Sequence, residues 1–277
     1  MGSDAGSTPS ALNASEETGT PTTTTGRRRV LNWALSIVVV VLLAFIVYVL
    51  IASFNYPAKA CLLAAAANVT APAARPPENY TLPAGCPGAS SGATIKINQL
   101  QNLGTHNSYK ITPKVPVHPE LKYSHEPLAV QLAHAGMRHF EIDLHPSSTD
   151  SHVFRVYHLP AIDHASTCEC LASCLAEMKK WSDVTMAGVH TPLYVMFEYK
   201  MTFFEDAATS RKGVTTDQLL AIEDQLVQSW GRERIITPAD VQGSYPTLRD
   251  AVTNGSWPSV DASLGKIVFL LMDRYVE

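Results

Sequence analysis

From Val30 to Phe54 the chain reads VLNWALSIVVVVLLAFIVYVLIASF, about 25 residues without one charged side chain. At about 1.5 Å per residue, that much helix crosses a hydrocarbon core of about 30 Å, and a helix apolar all round has no polar face to offer water. Trp33 stands near one end and Tyr48, Phe54 and Tyr56 near the other, where amphipathic rings suit the membrane interfaces. A retained anchor fits better than a cleaved signal peptide, whose apolar region spans about 7 to 15 residues close to the terminus. Arg27, Arg28 and Arg29 abut the N-terminal side and only Lys59 lies near the other, so the positive-inside bias predicts a cytosolic N-terminus. The remainder is then lumenal or extracellular, as in a single-pass type II membrane protein. The sequons at Asn68, Asn79 and Asn254 fall on that side.

That run explains much of the low charge, 17% of 277 residues against the usual quarter or so. The net charge of −4 gives no basic surface of the kind nucleic-acid binding needs. Residues 1–29, rich in Ser, Thr, Gly and Pro, read as a disordered cytosolic tail. Residues 55–93, rich in Ala and Pro, read as a stalk. Five cysteines are too few for a disulfide-dense scaffold and lack paired CxxC blocks. Cys61 and Cys86 lie in the stalk, and Cys168, Cys170 and Cys174 cluster where a helix is expected. An odd number leaves at least one unpaired or bridged to another chain, so a disulfide-linked oligomer is open to this sequence.

The folded region is residues 94–277. Apolar runs predict strands at Ile95–Leu103, Met137–Leu144, Val153–Tyr157, Leu193–Phe197 and Lys266–Met272. Apolar spacings of three and four predict helices at Pro127–Ala135, Cys168–Trp181 and Thr216–Trp230. Strand alternating with helix argues for an α/β fold, either an open sheet or a barrel.

Polar groups recur where these strands finish. The first runs into Gly104-Thr105-His106-Asn107-Ser108-Tyr109, the second carries Glu141 and Asp143, the third ends in His158, and the fourth ends in Glu198 and Lys200. In a parallel barrel such ends form one face, which holds the active site. Asn107, Glu141, Asp143 and Glu198 offer hard oxygen ligands that suit Ca²⁺, and less well Mg²⁺. Glu141 and Asp143 are two apart on a strand and share a face, with Ile142 turned to the other. Two histidines beside an oxygen-bound dication suit general acid and base work on a phosphate ester. The histidines at 145, 152, 158 and 164 lack the HExxH or finger spacing of a zinc site.

The segments QNLGTHNSYK, YSHEPLAVQLAHAGMRHFEIDLH, FRVYHLP and LYVMFEYK, in that order, closely resemble the catalytic X-region of phosphatidylinositol-specific phospholipases C. The likeness is greatest to the calcium-dependent group of bacteria and fungi and covers about residues 97–275. It implies a TIM-type (β/α) barrel that cleaves phosphatidylinositol-type lipids to diacylglycerol and inositol phosphate, the inositol 2-hydroxyl attacking phosphorus to give a cyclic phosphate. By the same likeness, His106 is similar to the histidine that stabilises the transition state and His158 to the acid that protonates the leaving oxygen. Asn107, Glu141, Asp143 and Glu198 are similar to the calcium ligands, and either Glu141 or Asp143 to the base. Lys200, on the same face as Glu198, is a candidate phosphate contact.

A complete eight-stranded barrel takes about 250 residues, so residues 94–277 are expected to form a partial barrel, incomplete at its C-terminus. Ile267–Met272 lacks the basic residues that eukaryotic relatives place on a comparable strand. A catalytic region outside the cytosol is reconciled with an inositol lipid if the substrate is exoplasmic phosphatidylinositol, a glycosylated inositol-lipid anchor or ingested lipid. Two alternatives stand beside this reading. One is a phosphodiesterase of the glycerophosphodiester or sphingomyelinase D type, disfavoured by Asn107 where the former has Arg-Gly. The other is an inactive lipid-binding fragment.

Overall fold

The computed structural model describes residues 24–54 and 95–272, apart from 148–149, 151, 187 and 201–213. The stalk, with Cys61, Cys86, Asn68 and Asn79, lies outside the described residues, as does the tail up to residue 23. The chain divides into two units, Met1–Val47 and Tyr48–Glu277.

The apolar run lies within one helix, α1 (Thr24–Phe54). It begins six residues before the expected span and takes in the three arginines. Side chains are described on α1 only for residues 32–48, all exposed, and among the described residues no helix is long and apolar enough to cross a membrane.

The second unit is built on a parallel sheet in the order β1 (Gly104–Thr105), β2 (His139–Pro146), β4 (Leu193–Tyr199), β5 (Ile267–Met272). Alternation along β2 and β4 sorts the two faces. Phe140, Ile142, Leu144, Leu193, Val195 and Phe197 are buried in the main core, which is closed by Leu128, Leu132, Leu171, Leu175 and Met178 from the helices. Those helices are α2 (Leu128–His134) and α3 (Leu171–Lys180). Buried positions 171, 174, 175 and 178 on α3 are spaced as one apolar stripe. Helix α4 (Thr216–Trp230) matches its predicted bounds because Thr215 caps it, its hydroxyl accepting from the Gln218 amide, and Gly231 follows at φ +78°. Two short helices, α5 (Pro238–Gln242) and α6 (Leu248–Thr253), precede β5.

Two predicted strands are corrected. Ile95–Leu103 is not a strand: a 3₁₀ turn covers Ile97–Gln99, where the Gln99 side chain accepts from the Lys96 amide at 2.8 Å and Ile97 N–H bonds to Pro258. Strand β1 is only the two residues that follow. Gly104 is required there, since a Cβ would stand 2.8 Å from the His139 carbonyl oxygen. Val153–Tyr157 shrinks to β3 (Phe154–Arg155), which pairs antiparallel with the end of β2. The connection from Pro146 to Phe154 is too short for a parallel return, which needs a dozen or more residues. Of the clustered cysteines only Cys174 is inside α3. It bridges to Cys168 just before the helix, and Cys170 is buried at the N-cap.

Beyond α3, His190 is buried with Nδ1 donating to the Thr191 carbonyl at 2.8 Å, so Nε2 accepts from the Ser182 hydroxyl at 2.6 Å. Burial, with Arg138 and Arg234 nearby, pushes its pKa down to about 4. The unfolded chain therefore takes up a proton that the folded one refuses between about pH 6.5 and 4, and stability falls as pH drops through that window. The loss attributable to His190 is at most about 3 kcal/mol. Urea denaturation of His190→Gln at pH 7 and pH 4.5 is expected to show a smaller difference between the two pH values than the unaltered chain shows.

Candidate active site

The sequence places its titratable groups at strand ends, and the register of the sheet brings three of them together. Asp143 pairs with Glu198 across the β2–β4 ladder, and Glu141 lies two residues before Asp143 on the same face. One carboxylate oxygen from each of Glu141, Asp143 and Glu198 lies within 4.8 Å of the others. Asp143 is fully buried and Glu141 nearly so. Burial, reinforced by the charge of Glu141 and opposed by Lys200, pushes the Asp143 pKa up to about 7.

The loop after β1 docks onto this group. Ser108 N–H donates to the Glu141 carbonyl, and its hydroxyl accepts from the Glu141 amide, both at 2.9 Å. Gln131 of α2 holds the loop from behind, donating to Ser108 O at 2.7 Å and accepting from the Thr105 hydroxyl at 2.8 Å. Asn107 takes a left-handed backbone, φ +49°, which Asn tolerates better than most residues. Its N–H donates to Glu141 Oε2 at 2.5 Å. Its side chain is fixed at both ends, Oδ1 accepting from the Tyr109 hydroxyl at 3.1 Å and Nδ2 donating to Tyr123 at 3.0 Å. Burial, together with the charge of Asp143, holds the Tyr109 hydroxyl far above its usual pKa, so it serves as a donor. His106 stands at the mouth, its side chain 76% exposed and Nε2 3.6 Å from Glu141 Oε2.

The fit to a calcium ion can be judged from the donors. Glu141 Oε1 and Asp143 Oδ1 are buried without a hydrogen-bond partner, which is costly unless a cation faces them. The oxygens of Glu141, Asp143 and Glu198 that cluster here are all hard donors. The set fits Ca²⁺.

His158 is not at a parallel strand end; it follows the β3 hairpin. Its Nδ1 meets Asp163 Oδ2 at 2.7 Å, and the other oxygen of Asp163 lies 3.2 Å from the Lys110 ammonium, both partners fully buried. Lys110 also donates to Leu121 O at 2.8 Å and sits 4.3 Å above the Tyr123 ring. His158 is thereby linked to Asn107 through Asp163, Lys110 and Tyr123. Lys200 lies 2.7 Å from Glu198 Oε2 and 3.4 Å from Asp143 Oδ2, so its ammonium faces the carboxylates.

Sequence reasoning assigned no site role to Tyr109, Lys110, Tyr123, Asp163 or His145. Lys110 directly follows the HNSY element and Asp163 lies five residues past His158, but neither spacing specifies an ion pair. The β2 alternation could have found His145, which shares the face of Glu141 and Asp143. It is buried, stacks on Tyr157 at 3.7 Å and meets the Tyr157 carbonyl oxygen through Nε2 at 2.8 Å.

Removing one partner of a buried ion pair strands the other charge, at a cost of about 3–5 kcal/mol. Lys110→Met and Asp163→Asn are each expected to destabilise the chain by roughly that much in urea titrations. The double variant is expected to lose clearly less than the sum of the two.

A family model described as phosphoinositide phospholipase C, Ca²⁺-dependent, matches residues 95–152 and 146–277. No curated protein matches. Among solved structures, a calcium-dependent phosphoinositol-specific phospholipase C from a Gram-negative Pseudomonas species is 19% identical, with TM-score 0.47. The aligned part covers 64% of this chain and 57% of that one. A Ca²⁺-dependent phosphatidylinositol-specific phospholipase C from Streptomyces antibioticus is 22% identical, with TM-score 0.44, over 64% of this chain and 55% of that one. The chain thus spans little more than half the length of these solved proteins. With the family model matched from residue 95 to residue 277, the chain belongs to the Ca²⁺-dependent phosphoinositide phospholipase C family.

Proposed function

We propose that this chain is a membrane-anchored phosphodiesterase that cleaves phosphatidylinositol-type lipids to diacylglycerol and an inositol phosphate, and that its parallel sheet is part of a TIM-type barrel. The observation that carries the reading is the group Glu141, Asp143 and Glu198, with oxygens within 4.8 Å, beside His106. Calcium held by these carboxylates and Asn107 would offset the negative charge that builds on the phosphoryl oxygens.

The chain's own groups supply the proton transfers. Glu141 or Asp143 takes the proton of the inositol 2-hydroxyl as its oxygen bonds to phosphorus. The bond from phosphorus to the diacylglycerol oxygen breaks, and the electron pair leaves with that oxygen. His158 protonates it: Asp163 fixes the ring through Nδ1, leaving Nε2 to carry the transferable proton. His106, exposed at the mouth, meets the phosphoryl group and stabilises the transition state. Lys200 is the further candidate for a phosphate contact.

Release of inositol phosphate from phosphatidylinositol vesicles is expected in calcium and not in excess chelator. His106→Ala and His158→Ala are each expected to lower kcat/KM by about a hundredfold or more. Full activity in either variant would remove its assigned role.

The anchor reading places α1 across a membrane with the arginine triplet in the cytosol. It is supported by the uncharged run within α1 and by the Cys168–Cys174 bridge, which suits an oxidising compartment. Asn254, an exposed sequon just after α6, then faces the glycosylation machinery. In microsomes the folded region is expected to be protease-protected, and Asn254→Gln to remove one endoglycosidase-sensitive step in mobility. Digestion of that region without detergent would reverse the topology.

A further inference from the structure

We propose that Lys200 is a tethered cation that competes with calcium for the carboxylate site, so that it sets the affinity for the metal; this rests on the metal-binding reading above. Its ammonium lies 2.7 Å from Glu198 Oε2 and 3.4 Å from Asp143 Oδ2, two of the three carboxylates whose oxygens cluster. Calcium takes its oxygens at about 2.3–2.6 Å. An ammonium nitrogen in contact with the same two oxygens therefore occupies space that an ion bound to both would need. The two cations exclude one another by volume and by like charge.

The tether is built for exchange. The Lys200 amide donates to the Leu144 carbonyl at 2.8 Å, extending the β2–β4 ladder and fixing the backbone. The side chain above it is a flexible four-carbon stem, 25% exposed, with a path to solvent. One ammonium among three carboxylates leaves the group under-neutralised, and Glu141 Oε1 and Asp143 Oδ1 keep no hydrogen-bond partner while Lys200 is in place. A dication therefore gains oxygens that the lysine leaves unused, and must displace the lysine to gain all of them. Once displaced, the ammonium stands next to the metal site with its stem free to turn toward an arriving phosphate.

Calcium binding to the full chain, read by isothermal titration calorimetry without lipid, tests the competition directly. Lys200→Met is expected to bind calcium about tenfold or more tighter than the unaltered chain. Lys200→Arg, which keeps a cation, is expected to gain little. Lys200→Gln gives the same expectation as Met should the methionine variant fail to fold. Equal or weaker binding in folded Met or Gln variants would overturn the inference and leave the metal site standing. Absence of binding in the folded chain and in every folded variant would remove the metal reading and the inference together.

Discussion

Three carboxylates converge at one end of a parallel sheet, in a place where at least two of them are buried, and most of what surrounds them answers that constraint. Like charges a few ångströms apart away from water repel strongly, yet the strands cannot relax by separating. Asp143 and Glu198 are partners in the β2–β4 ladder, and on the opposite face Ile142 and Phe197 are locked into the core. The repulsion is met by local chemistry instead. The Asn107 amide donates to Glu141, Lys200 sits against Glu198 and Asp143, and burial raises the Asp143 pKa to about 7. Apolar burial on one face stabilises the sheet that holds the other in an unfavourable electrostatic arrangement. This is a usual physical reason for such a site to select a cation.

How much of this could be read from the residues alone follows from where the information lies. Strand β2 was legible because its face alternation is strict: Phe140, Ile142 and Leu144 inside, Glu141, Asp143 and His145 on the site. Helix α4 was legible to the residue because Thr215 and Gly231 are local stop signals. The segment Ile95–Leu103 misled because its first residues serve a different partner, Ile95 and Ile97 bonding to the stretch around Pro258 and Ile97 packing against Trp257 and Val260. The β3 hairpin misled because propensity gives a strand but not its direction, which was set by the shortness of the turn. For the site, the carboxylates and His106 could be found at strand ends. The support of His158 could not, because the Lys110–Asp163 pair joins residues more than fifty positions apart. No local pattern encodes such a contact.

The support has a further layer. The stretch between His158 and α3 threads past the loop after β1: Thr167 N–H donates to Tyr109 O at 2.7 Å, and Ile111 N–H to Ala165 O at 3.2 Å. The same stretch is bound to the residue after β3, Val156 N–H donating to Glu169 O at 3.0 Å, and to α3 by the Cys168–Cys174 bridge. Asp163 is thus presented by a segment fastened on three sides. A histidine oriented by a carboxylate is only as well placed as that carboxylate, so these fastenings extend the site well beyond the groups that face a substrate.

The two lysines of the site show why charge alone does not define a role. Both face an aspartate. Lys110 has no exposed side-chain area, donates to the Leu121 carbonyl and lies over the Tyr123 ring. Its ammonium has several partners and no route to water, so leaving Asp163 would mean burying an unsatisfied charge. Lys200 has two carboxylates, a quarter of its side chain in solvent and a flexible stem. Leaving them returns its charge to water, where hydration replaces what the carboxylates gave. The first lysine is therefore a fixed part of the scaffold and the second an exchangeable one. What distinguishes them is the number of partners and the access to water, not the strength of either ion pair.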